Sequence, residues 1–122
     1  MARSAYQSYL AWRKAFALSV AISESTRNFP KEERYSLTDQ IRRSSRSVCA
    51  NLAEAYAKRI YPKHWTSKIT DCAGENYETQ TWLAFALSEK YITKERYHEL
   101  NQDSQEVGRL LSHMLNNPHR YR

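Results

Sequence analysis

Proline occurs at only three positions of this 122-residue chain, Pro30, Pro62 and Pro118, and glycine at only two, Gly74 and Gly108. A strand-rich fold needs many more turn residues than that, and no alternating Val/Ile-rich run appears anywhere. The prolines also fall between the segments of helical apolar spacing, so they divide the chain without interrupting those segments. The expected fold is therefore all-α, an antiparallel up-down-up-down four-helix bundle with short connections. One core suffices for a chain of this size, without metal or disulfide support.

The spacing predicts where each helix turns its buried side. In the first, Tyr9, Trp12, Phe16, Ser19, Val20 and Ser23 recur at intervals of three and four. Pro30 with Lys31, Glu32 and Glu33 is expected to open the second, since proline and carboxylates both suit a first helical turn. Its stripe is Leu37, Ile41, Ser44 or Ser45, Val48, Leu52 and Ala55. The third begins at Pro62 and places Trp65, Ile69, Cys72 or Ala73, Asn76, Gln80, Leu83 and Leu87 inward. Thr93 is a suitable N-cap for the fourth, whose stripe is Tyr97, Leu100, Ser104, Val107, Leu111 and Met114. Residues 1–117 form one domain in this reading, and 118–122 a short, frayed basic tail.

A turn at Tyr61 between the second and third helices sets a register in which residue n lies level with residue 122 minus n. Cys49 then lies near Cys72, Ser44 level with Glu78, and Asn51 level with Asp71. Two cysteines without CxxC spacing are expected to be reduced, packed thiols. With no signal-type apolar run and no long uninterrupted apolar segment, neither secretion nor a membrane partner is expected, and a cytoplasmic location follows as the default.

The formal net charge is +6, but it is unevenly placed: residues 30–70 carry nine Lys/Arg against four Asp/Glu, while 71–91 carry one against four. Arg42 and Arg46 stand four apart on the second helix. Lys58, Arg59, Lys63 and Lys68 surround the turn, interleaved with Tyr56, Tyr61, His64 and Trp65. Phosphate contacts beside aromatic rings suit RNA or DNA, although an ordinary solvated helix face uses the same residues. Asn51 and Glu54 flank the buried seam and require partners. Gln40, Arg43 and Ser47 on the same helix and Glu78 on the third are expected to complete a structural polar network.

Enzyme chemistry is not expected. A carboxylate-bridged metal pair in a bundle needs Glu-x-x-His on two helices, and the chain has one, Glu95 to His98. No nucleophile and base are suitably placed, so neither a metal nor another cofactor is called for.

The run FPKEERYSLTDQIRRSSRSVCANLAEAYAKR, followed by the A-G-x-x-x-E segment in DCAGENYETQTWL, resembles the 23S rRNA intervening-sequence proteins, a four-helix bundle family. Gln40 to Arg43 match the family's Q-I-R-R. Ser47, Val48, Ala50, Asn51, Ala53 and Glu54 match S-V-x-A-N-I-A-E, with Leu52 for Ile; Ala73, Gly74 and Glu78 match the third-helix segment. Cys49 replaces a common proline, Ala55 a common glycine and Glu75 a common serine, and the first two imply a straighter second helix. The resemblance implies a homopentamer with a central channel. It also implies similarity to the accessory protein of diversity-generating retroelements, which works with a reverse transcriptase and nucleic acid. The resulting expectation is a non-enzymatic RNA- or DNA-binding oligomer, with a scaffold for a protein partner as the alternative.

Overall fold

The computed structural model describes residues 4–122. Four helices, α1 (Leu10–Thr26), α2 (Leu37–Ala57), α3 (Pro62–Ser88) and α4 (Lys94–Asn116), are joined by short connections, with 3₁₀ turns at Ala5–Ser8, Lys31–Glu33 and Pro118–Arg120. α1 and α3 each pack against both α2 and α4. Cross-links between them set the directions. Arg42 bonds to Thr26, while Cys49, further along α2, sits against the Trp12 carbonyl near the start of α1. Arg96 meets Ser25 and Glu106 meets Lys14, so α4 also runs against α1. Ser44 meets Thr79 and Glu54 meets Lys68, within one residue of the register expected from a turn at Tyr61.

The helix ends follow local chemistry. Pro62 occupies the first turn of α3 behind an extended Tyr61, as its locked φ and missing N–H favour. Thr93 Oγ1 accepts the Arg96 N–H at 3.1 Å and caps α4. α3 stops through paired bonds from Lys90 N to the Leu87 carbonyl and from Tyr91 N to the Ala86 carbonyl. That arrangement puts Lys90 at φ 62°, where glycine is the usual occupant.

The α2 stripe is buried as expected, from Leu37 and Ile41 through Val48 and Leu52 to Ala55, with both Ser44 and Ser45 inward. From Ile41 on it meets Trp65, Ile69, Cys72 and Leu83 of α3 and Leu100, Val107, Leu111 and Met114 of α4 in one core, while Leu37 packs with Phe29 and Ala86 in a smaller cluster. Close helix approach also buries polar groups, several of which pair across helices. Asn76 Nδ2 donates to the Ser104 carbonyl, and Ser104 Oγ donates to Asn76 Oδ1, both at 2.9 Å. The Thr79 hydroxyl donates to the Glu75 carbonyl, which leaves Ser44 Oγ to donate to Thr79 Oγ1 at 2.8 Å. Gly108 allows this approach, because a Cβ there would lie 3.3 Å from Asn76 Nδ2.

Three expectations require correction. α2 begins at Leu37, because Lys31–Glu33 form a separate 3₁₀ turn and Ser36 leaves the helical region. Glu33 Oε1 then accepts from Ser36 Oγ at 2.5 Å and from the Leu37 N–H at 3.4 Å. α1 is rotated from its aromatic stripe: Ala11, Ala15, Leu18, Ser19 and Ile22 are buried, while Phe16 is 50% exposed. The small residues bring α1 closer to its neighbours than a row of rings would allow. Both thiols are free and packed, as expected, Cys49 beside the Trp12 carbonyl and Cys72 beside the Val48 carbonyl. Burial pushes the Cys49 thiol up to about 12 and raises Cys72 as well. Finally, residues 118–122 do not fray. Tyr9 donates its hydroxyl to the Tyr121 carbonyl, and the two rings lie 6.1 Å apart, edge to face.

Candidate nucleic-acid interface

The six cations selected from the sequence occupy three settings. Lys58 and Lys63 are exposed at the α2–α3 turn beside Tyr61 and His64. Ile60, at the tip, is 70% exposed. Arg59 instead folds back: its guanidinium lies 4.0 Å from the Tyr56 ring centroid, and Nη1 donates to the Tyr56 carbonyl at 2.9 Å. Lys68 is engaged too, 2.5 Å from Glu54 Oε2, and that carboxylate raises its pKa.

Arg42 and Arg46 lie on α2 away from the tip, Arg46 about 18 Å from Lys58 at the usual helical rise. Arg42 is pinned to α1, its Nε donating to Thr26 Oγ1 at 2.8 Å and its Nη2 to the Ser23 carbonyl at 3.4 Å. Arg46 is exposed, as is Arg43. Among the described residues, none of Arg43, Arg46, Lys58 and Lys63 has a side-chain hydrogen bond or ion pair.

The residues selected for a polar network divide into two groups. Asn51 Nδ2 donates to the Ser47 carbonyl and hydroxyl at 2.9 and 3.0 Å, and Asn51 Oδ1 accepts from Lys68, which holds Glu54. This chain of contacts ties α2 to α3. Glu78 instead accepts from Trp82 Nε1 on its own helix. Gln40 and Arg43 have no side-chain partner among the described residues, and with Ser47 and Glu78 they line an open groove of about 650 Å³.

Residues absent from the sequence-derived sites line the same groove, among them Arg34, Tyr35, Thr38, Asp39 and Glu75. Tyr35 is 83% exposed, with the Arg34 guanidinium 5.4 Å from its ring centroid. Thr38 is only 8% exposed, and its Oγ1 has no partner among the described residues. Partial burial and the nearby Glu78 push the Glu75 carboxyl up, while Arg43 opposes the shift. The sequence did carry a signal for this site, since Arg34, Thr38, Arg42 and Arg46 repeat every fourth residue.

On the other flank of α2, toward α1, lies an apolar groove of about 530 Å³. Trp12 and Phe16 stack there at 5.1 Å, beside Val20, Cys49, Ala50 and Ala53. Arg46 and Ala50 stand on the ridge between the two grooves and line both. Among the described residues, no three His, Cys, Asp or Glu side chains gather closely enough to hold a metal ion, and no helix is long and apolar enough to cross a membrane.

No curated protein matches this chain. A crystal structure of a protein of unknown function from the S23 ribosomal protein family of Bacteroides thetaiotaomicron is similar over 88% of this chain and 96% of its own. The two are 28% identical and superpose with a TM-score of 0.79. The sequence profile of the 23S rRNA-intervening sequence proteins matches residues 7–113, nearly the whole bundle. With the bundle and the α2 residues that resembled this family both in place, the chain belongs to the 23S rRNA-intervening sequence protein family.

Proposed function

We propose that this protein is a non-enzymatic, cytoplasmic, homo-oligomeric module that binds nucleic acid, with RNA favoured, through cations on the outer face of α2 and at the α2–α3 turn. The observation that carries this reading is the set of four exposed cations, Arg43, Arg46, Lys58 and Lys63, for which the described residues supply no acceptor. Tyr61 and His64 beside the two lysines offer ring faces to unstacked bases. Arg59 and Lys68 are secondary, because both are already engaged within the chain.

Assembly is part of the same proposal. The apolar groove holding Phe16 receives the outer face of α3 from a second copy, where Tyr77 and Phe85 are exposed. Three residues before Tyr77, Gly74 has nothing within 4 Å of where a Cβ would lie, so packing within the chain does not account for a mid-helix glycine. The acidic balance of residues 71–91 complements Arg27 at the groove. A contact between two different faces propagates head to tail and closes into a ring, here the pentamer implied by the resemblance. Five chains of +6 carry +30, which favours salt-dependent binding.

Binding of RNA and DNA measured across a salt series tests the reading. Affinity should fall steeply with salt, and the Lys58→Glu, Lys63→Glu double variant should lose binding with its helix content intact. No binding at low salt, or an affinity indifferent to salt, sinks it. The exposed Ile60 at the turn favours a second reading, a scaffold for a protein partner. Recovery of one defined partner after nuclease treatment, lost in Ile60→Asp, would support that alternative.

A further inference from the structure

The groove along α2 has features that an ordinary solvated helix face lacks. Arg34, Thr38, Arg42 and Arg46 follow one another at intervals of four and all line it. In their midst the Thr38 hydroxyl is buried without a partner. Such a group destabilises the fold unless something bonds to it. Arg42 is held by its two bonds to α1 and keeps further N–H groups free, so a donor fork is already positioned. Tyr35 at the groove's end presents an exposed ring, and Glu75 faces α2 from α3.

We infer that this groove is a nucleotide site, in which the arginine row and the Thr38 hydroxyl hold a phosphate, the Tyr35 ring stacks on the base, and Glu75 accepts a hydrogen bond from a sugar hydroxyl or base N–H. The mixed walls select against simpler ligands. Inorganic phosphate leaves Tyr35 and Glu75 without a role, and a purely apolar ligand leaves the arginines and Thr38 unbonded. The inference deepens the nucleic-acid reading by giving one nucleotide of a bound strand a specific seat, distinct from the backbone contacts at Lys58 and Lys63. A free nucleotide shares the same chemistry, so the test compares the two sources.

The experiment titrates the full chain with inorganic phosphate, with each of the four ribonucleoside 5′-monophosphates, and with a short oligouridylate, reading heat and Tyr/Trp fluorescence. Monophosphates should bind more tightly than inorganic phosphate, and Tyr35→Ala should erase that difference. Thr38→Val keeps the shape and deletes the unpartnered hydroxyl. It should weaken nucleotide binding about fivefold to tenfold while leaving thermal stability equal or higher. Nucleotide affinity unchanged in both Thr38→Val and Arg34→Ala overturns the inference, as does equal affinity for phosphate and nucleotides. If oligouridylate binding depends on Lys58 and Lys63 but not on Thr38 or Tyr35, the seat is wrong and the broader reading survives. If monophosphates bind in a Thr38-dependent way and the oligomer does not bind, the site stands as one for free nucleotides and the nucleic-acid reading fails.

Discussion

The two flanks of α2 are built from opposite materials. Toward α1 the surface is apolar, with stacked Trp12 and Phe16 beside Ala50 and Ala53. Toward α3 it is polar from the Ser44–Thr79 bond outward to Arg43, Glu75 and Glu78. Both grooves share Arg46 and Ala50, so one helix separates a surface suited to protein from one suited to an anionic, hydrogen-bonding ligand. Apolar contact is non-directional and tolerates a range of partners. Paired buried hydroxyls tolerate one register, which is what holding a constellation of side chains in place requires.

The largest expected effect is on the apolar flank. Phe16→Glu should convert the proposed oligomer to a monomer of 14.4 kDa by light scattering or native mass spectrometry. Helix content should be kept, because the ring is half exposed in the single chain. Phe85→Glu should do the same from the opposite surface. An oligomer that survives Phe85→Glu but not Phe16→Glu means that the groove receives something other than the outer face of α3.

The polar flank should respond in stability, not in mass. Thr79→Val removes the acceptor for Ser44 Oγ, whose remaining contact, with the Ile41 carbonyl, is long at 3.4 Å. Leaving that buried hydroxyl poorly bonded should cost about 1–3 kcal/mol in urea unfolding. Adding Ser44→Ala should recover part of the loss, since both partners are then gone. A loss that does not change between the single and double variants would mean that volume, not the hydrogen bond, sets the cost.

The same contrast decides what was legible in the sequence. In α2 only one face is apolar, so Leu37, Ile41, Val48, Leu52 and Ala55 could be assigned inward without ambiguity. The proline at the turn gave the α2–α3 register, which the Ser44–Thr79 bond meets within a residue. α1 was misread because it is apolar on two sides. Ala11, Ala15, Leu18 and Ile22 repeat at the same period as Trp12, Phe16 and Val20, and periodicity alone cannot rank two such stripes. For the candidate site, spacing identified the cations but not their engagement. That Lys68 pairs with Glu54 and Arg59 covers Tyr56 depends on which side chains meet across helices, and composition does not carry that. Thr38 went unnoticed because a threonine in a first helical turn is ordinary until its hydroxyl is found without a partner.

The smallest expected effect concerns acid, and it too separates the flanks. Glu33 lies at the end of the α2–α3 side, where Oε1 accepts from Ser36 and Oε2 accepts the Tyr91 hydroxyl at 2.9 Å. These bonds, Ser36 first, hold its pKa below the ordinary 4.5. The folded chain therefore binds this proton less readily than the unfolded chain. The stabilisation is complete above the unfolded value and is lost as pH falls through the lowered folded one. Tyr91 behaves in the opposite sense. The Glu33 carboxylate raises its pKa from 10.0 to about 12, so its contribution is present below 10.0 and disappears as pH rises through about 12. Urea midpoints measured from pH 3 to 6 should decline toward acid, and Glu33→Gln should flatten part of that decline. Because both groups are only partly buried and lie near the surface, salt should blunt the effect. The apolar α1 flank offers no titrating pair of this kind, so Phe16→Glu monomers should keep the same acid slope; a slope that vanishes with the oligomer would place the sensitive carboxylates at the subunit contact.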